Sequence, residues 1–171
     1  MINLSFSNSL KRGFTLVELL IVIGVLGVMA GVAISIINPV AQFQKANDSK
    51  RKSDLAQIQR ALEIYYQDLK SYPLNSSAYK IKDSTGTELN WGNPWTPYMG
   101  NLPADPNSPA KNYAYISDGQ TYYLYASLDR GTNDSQVCQN LNSNGECPSV
   151  PVANLCGGKC NYGVSSPNVS P

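Results

Sequence analysis

This 171-residue chain contains no histidine, and that absence removes whole classes of chemistry. A serine or cysteine nucleophile activated by imidazole cannot be built within it, nor can a histidine-ligated metal centre. A phosphate-cradling loop is missing too. Cys156-Gly157-Gly158-Lys159-Cys160 has glycines and a lysine but lacks the required spacing and the Ser or Thr. Charge excess is absent: 13 Lys+Arg stand against 12 Asp+Glu, a formal net charge of +1, which gives no basic field for nucleic acid. There is no repeat of fixed period and no long charge block. No cysteine precedes Cys138. Carboxylates can pair in any folded chain, but nothing in this sequence singles out such a pair. The expectation is a protein that is not an enzyme and needs no cofactor and no metal.

What the chain does have is one long apolar run. Lys11-Arg12-Gly13 is followed by Phe14-Thr15-Leu16-Val17-Glu18, and apolar residues then continue through Ile37, interrupted only by Ser35. As a helix, Phe14 to Ile37 is ~36 Å long, enough to cross a bilayer core of ~30 Å. Glu18 lies inside this run, where a carboxylate is expensive and asks for a partner. Cutting the chain between Gly13 and Phe14 would free an α-amine, which is charged or partly so near neutral pH. At ~4 Å and an effective dielectric near 20, an amine and a carboxylate attract by ~4 kcal/mol before desolvation is counted. In a straight helix Glu18 does not easily reach the amine of its own chain. A neighbouring chain displaced by about a turn presents its amine there. The expectation is side-by-side assembly with a charge pair fixing the stagger.

The segment Lys11-Arg12-Gly13-Phe14-Thr15-Leu16-Val17-Glu18-Leu19-Leu20 closely resembles the processing motif of type IV pilins and of the pseudopilins of type II secretion systems. The resemblance implies that a prepilin peptidase removes a leader of residues 1–13 by cleaving between Gly13 and Phe14, and N-methylates Phe14. It also implies that Glu18 is the assembly glutamate. The plain alternative is an uncleaved signal anchor with an incidental glutamate. A secretory signal peptide fits worse, because its apolar core is only ~7–15 residues and a small-residue cleavage site follows it. Gly24, Gly27 and Gly31 share one helix face, a small-residue pattern that allows close helix packing.

Orientation is contested within the sequence. Lys45, Lys50, Arg51 and Lys52 follow the span, so the positive-inside rule alone would leave the C-terminal part in the cytoplasm. The processing motif, which needs a cytoplasmic leader, and four cysteines suited to an oxidising compartment argue for a head outside. The basic cluster then reads as a solvated face near anionic lipid head groups, with nucleic acid the lesser reading.

After the span, Leu55, Ile58, Leu62, Tyr65, Tyr66 and Leu69 recur at helical spacing and predict a core-facing stripe. Ser53 or Asp54 would cap this helix if a break exists there, and Tyr72-Pro73 should stop it. With no glycine between Gln42 and Lys52, one long helix from about Phe14 to Ser71 is expected, kinked or loosened near Pro39. The pilin resemblance implies the same extended helix, with its second half packed on a globular head.

The rest of the chain predicts short strands and turns. Tyr79 and Ile81 suggest a short strand, and Trp91 to Tyr98 an ordered loop. Asn112–Ser117 and Gln120–Leu128 flank Asp118-Gly119 as a hairpin. Within the second run Tyr122, Leu124 and Ala126 alternate with Tyr123, Tyr125 and Ser127, and one set should face the helix. In some pilin-like heads a C-terminal loop binds calcium. Asp129, Asn133 and Asp134 offer oxygens here, but the spacing favours a plain turn. Cys138, Cys147, Cys156 and Cys160 permit three pairings. Disulfides are favoured over zinc, which usually shows close cysteine pairs on both sides. Ser165 to Pro171 reads as frayed.

The expected class is therefore α+β: a long, kinked, transmembrane N-terminal helix packed on a small antiparallel head. Residues 1–13 are the leader, 14–52 the membrane and membrane-proximal part, and 53–171 the extracytoplasmic head, with 130–171 its cysteine-stapled tail. The expected function is a structural subunit of a type IV pilus or type II secretion pseudopilus. Such a subunit crosses the cytoplasmic membrane once before assembly and then joins a periplasmic or cell-surface filament. Its partners are copies of itself, the prepilin peptidase and the assembly machinery. The alternative is a minor pilin or membrane-anchored module recognising DNA, a surface or cargo.

Overall fold

The computed structural model describes residues 13–171, and the rest of the expected leader, with Lys11 and Arg12, lies outside the described residues. Helix α1 (Leu16–Ile37) is followed by α2 (Pro39–Leu69), β1 (Ala114–Ser117), β2 (Tyr122–Ala126), a short 3-10 turn (Gly131–Asn133) and β3 (Tyr162–Ser165). By contacts the chain divides after Val40.

The expected break near Pro39 is complete, leaving two helices separated by one residue. Asn38 takes the left-handed conformation, φ 42° and ψ 76°. Proline disfavours the helical region for the residue before it and has no N–H to continue the ladder. Asn accepts a left-handed backbone better than most residues, and Pro39 then opens α2, a favoured place for proline. Ser53 and Asp54 lie inside α2, so no cap forms there. Among the described residues no helix is long and apolar enough to cross a membrane. The described side chains of α1 run from Leu16 to Val32, ~25 Å of helix.

α2 stops at Leu69, short of the expected Ser71. Lys70 turns left-handed at φ 59°, and its N–H donates to the Tyr66 carbonyl at 2.8 Å. Leu55, Ile58, Ala61, Leu62 and Tyr65 are buried as one stripe. Tyr66 packs at the edge of that core, whereas Leu69 is 46 % exposed because the helix ends there.

The sheet runs β1-β2-β3, with both pairings antiparallel. Ala114 pairs with Tyr125 and Ser117 with Tyr122, so a four-residue loop, Asp118 to Thr121, closes the hairpin rather than a two-residue turn. Asp118 Oδ1 accepts the N–H groups of Gln120 and Thr121 at 2.9 and 2.7 Å, and Gly119 supplies φ 89°. The strand alternation works as expected. Tyr122, Leu124 and Ala126 join the helix stripe in the main core with Tyr115, Trp95, Ile81 and Leu102. Tyr125 and Ala114 face the other way, into a second core built on the four cysteines. Tyr79 and Ile81 do not make a strand: Tyr79 has φ 55°, and Ile81 forms only an isolated bridge with Asn75.

The cysteine tail supplies β3, a strand not evident in its sequence. β3 pairs with β2 from Tyr123↔Ser165 to Ala126↔Tyr162. Gly163 is obligatory in this strand, since a Cβ there would sit 2.7 Å from the Tyr125 ring. The end of the chain is held rather than frayed. Ser166 is buried, its N–H donates to the Tyr122 carbonyl at 3.1 Å, and the Ser165 hydroxyl donates to the Val169 carbonyl at 2.7 Å.

Candidate functional site

At its start α1 carries a capping box. Thr15 Oγ1 accepts the Glu18 N–H at 3.2 Å, and Glu18 Oε2 accepts the Thr15 N–H at 3.4 Å. This pairing satisfies two donors that a helix start leaves open. Glu18 thereby curls back to Thr15, the residue after Phe14 in its own chain. The carboxylate is held by the Thr15 N–H at 3.4 Å and the Thr15 hydroxyl at 3.5 Å, both long and exposed, so it is held weakly and can exchange partners at little penalty.

Beyond the cap, α1 is apolar on every side. Phe14 is 86 % exposed, and Leu16, Val17, Leu19, Leu20, Ile21, Ile23, Leu26, Val28 and Met29 are all exposed. A continuous apolar surface of this length marks an interaction surface. A Cβ built on Gly24, Gly27 or Gly31 would meet no atom within 4 Å.

In the second unit, the basic cluster reads differently from its sequence. Arg51 is not part of a solvated face: it is fully buried. Its Nη1 donates to Asp48 Oδ1 at 2.9 Å, and its Nε and Nη2 grip Asp105 at 2.8 and 3.1 Å. Asp129 Oδ2 completes the set at 2.9 Å from Nη1. Burial alone would lower the affinity of Arg51 for its proton, yet the hydrogen bonds to Asp105 and Asp129 raise it above the ordinary value. Lys50 pairs with Asp54 and Lys52 with Asp134, each at 2.7 Å. The phenol of Tyr113 also donates to Asp54 at 2.7 Å. Lys45 is exposed. The spacing Asp48-x-x-Arg51 on a helix was a readable signal; Asp105 and Asp129 had none.

Asp129, considered for calcium, instead meets Lys111 Nζ at 2.6 Å and Arg51 at 2.9 Å. Burial pushes its carboxyl up, but those two cations hold it below the usual carboxylate range. Among the described residues no group of three or more His, Cys, Asp or Glu is arranged to hold a metal ion.

Cysteine connectivity, open in the sequence, is sequential: Cys138–Cys147 and Cys156–Cys160. The two loops are joined through the Cys147 N–H, which donates to the Cys160 carbonyl at 2.8 Å, and through buried Glu146. Glu146 Oε1 accepts the N–H groups of Asn154 and Cys160 at 2.8 and 3.2 Å.

Comparison with known proteins follows this division. The family described as "Prokaryotic N-terminal methylation motif" matches residues 8–34. The family "Type II secretion system (T2SS), protein G" matches residues 38–143. Among relatives, the type II secretion system core protein G of Klebsiella pneumoniae is 33 % identical over 112 residues, covering 64 % of this chain and 77 % of its own. That of Pseudomonas aeruginosa is 30 % identical over 137 residues, covering 74 % and 92 %. The protein of the same name from Vibrio cholerae is 29 % identical over 127 residues, covering 72 % and 77 %. No solved structure gives a significant match. Strand β3 and the second disulfide lie beyond the segment matched by the protein G family.

Proposed function

The chain belongs to the type II secretion system protein G family, and from that premise we propose that it is a structural subunit of a type II secretion pseudopilus, assembled through its N-terminal helix. The observation that carries this reading is the methylation motif at residues 8–34, running directly into a helix whose described apolar side chains are exposed on all sides. Prepilin peptidase cleaves between Gly13 and Phe14 and methylates the new Phe14 amine. The leader is then residues 1–13, and residues 14–52 form the membrane and membrane-proximal part. Before assembly the apolar segment through Ile37 crosses the cytoplasmic membrane once, with the 53–171 head outside. The two disulfides suit that oxidising side.

Glu18 is the assembly residue. In the uncleaved chain it rests on Thr15 through long, exposed hydrogen bonds. The freed amine on Phe14 of a neighbouring subunit, when charged, is a better partner inside an apolar bundle, where charge pairing is stronger than in water. The glycine strip of Gly24, Gly27 and Gly31 lets the helices approach closely. Assembly machinery of the secretion system and further copies of the chain are the partners. The test is Glu18→Ala: it leaves the chain folded and membrane-inserted but lowers the yield of sheared filaments by at least tenfold. Filaments at the native level in that variant would refute the pairing.

A further inference from the structure

In some pilin-like heads a C-terminal loop takes calcium, but the turn at 129–134, where Asp129, Asn133 and Asp134 gather, does not fit a divalent cation. Calcium collects ~6–8 oxygens from carboxylates, carbonyls and water, and the oxygens here already face N–H donors. Asp129 accepts from Lys111 Nζ at 2.6 Å on Oδ1, and its Oδ2 lies 2.9 Å from Arg51 Nη1. Asp134 Oδ1 accepts from Lys52 Nζ at 2.7 Å and from the Gln136 N–H at 2.9 Å. The Asn133 carbonyl accepts from Arg130 at 3.3 Å. Nearby, Asp48 accepts the N–H groups of Asp129 and Arg130 at 2.7 and 3.0 Å. Both Asp129 oxygens and Asp134 Oδ1 are thus each met by a cationic side chain.

We propose that Arg51, Lys52 and Lys111 hold the 129–134 turn in place of a divalent cation, so that this head folds and keeps its shape in metal-free solution. The cations come from two directions. Arg51 and Lys52 lie on α2 and Lys111 on the segment leading into β1, so the turn is clamped to the helix and to the sheet at once. Lys52 also sits 5.8 Å over the Tyr162 ring, at the start of β3. Buried Arg51 keeps its charge at any pH a cell envelope reaches. The clamp therefore works where free calcium varies. It rests on the geometry of the head and does not depend on the filament reading.

The full chain in detergent micelles is melted in excess EDTA and in millimolar CaCl2, followed by near-ultraviolet circular dichroism of its tyrosines and tryptophans. The expected result is the same Tm in both, within about 1 °C. A calcium site filled at a hundred times its Kd would raise Tm by roughly 5–10 °C, and a rise of that size overturns the proposal. Lys111→Met and Lys52→Met should each lower Tm by several degrees in both buffers. If both variants melt like the native chain, the cations are not the clamp and the proposal also fails. Should a variant not fold, the comparison of native chain with and without calcium still decides.

Discussion

Arg51 and Asp105, 54 positions apart in the chain, form a two-pronged ion pair with both side chains fully buried. Such geometry is the strong form of a charged hydrogen bond, and it pins the loop before β1 onto the middle of α2. Arg51→Met removes the cation from three carboxylates, Asp48, Asp105 and Asp129. Breaking one side of a buried pair in this way costs about 3–5 kcal/mol. Urea unfolding followed by tryptophan fluorescence should show a loss of that size with an unchanged slope. A loss below about 1 kcal/mol would mean that water reaches the cluster.

This pair also marks the boundary of what the sequence could reveal. Periodicity exposed the stripe from Leu55 to Tyr65 because helical packing writes a local signal. The alternation of Tyr122, Leu124 and Ala126 exposed the sheet face for the same reason. Asp48 and Arg51 share a helix face and could be paired from spacing. Asp105 and Asp129 reach Arg51 through tertiary folding, which leaves no periodic trace, so the basic cluster looked like a solvated face. β3 was hidden because Tyr162-Gly163-Val164-Ser165 is short and glycine-containing, and its strand character comes from tertiary pairing with β2. The motif around Gly13 and Glu18 was legible because it is a linear signal, and the return of Glu18 to Thr15 was readable too, as the Thr-x-x-Glu spacing of a capping box.

Tyr72 gives a pH test of the core. Its phenol donates to Glu63 at 3.1 and 3.2 Å. Burial, then the Glu63 charge, pushes its pKa up to about 12 from 10.0. A phenol raised in the folded state adds stability that is fully present below pH 10 and is lost as pH rises through about 12. In an alkaline titration of phenolate absorbance, Tyr72 should therefore ionise late. Glu63→Gln should bring that step to lower pH. A step that stays put in the variant would leave burial as the sole cause.

The disulfides should matter to β3 more than to β1. For loops closed by sequence separations of 9 and 4, chain entropy gives about 2–3 kcal/mol each. Replacing Cys138 and Cys147 together by serine should speed amide hydrogen exchange at Tyr162 to Ser165, because the Cys138 N–H donates to the Asn161 carbonyl just before that strand. Exchange in Ala114 to Ser117 should change less. Equal acceleration in both strands would show that the lobe and the sheet open as one unit.

Thr15 supplies a subtler probe of the helix start. Thr15→Val keeps the shape of the side chain but removes the oxygen that accepts the Glu18 N–H at 3.2 Å. Loss of an N-cap costs about 0.5–2 kcal/mol of helix stability. Hydrogen exchange in detergent should therefore rise in the first turn of α1 and leave the head unchanged. An unchanged first turn would place the stability of this end elsewhere.

The most direct test of the whole account is the identity of the first residue in filaments sheared from native envelopes, read by mass spectrometry of the N-terminal peptide. The account predicts a chain beginning at N-methylated Phe14, and a Gly13→Leu variant that keeps its leader and stays out of filaments. Filaments whose subunits still begin at Met1 would contradict it, because no freed amine would then exist for Glu18 to meet.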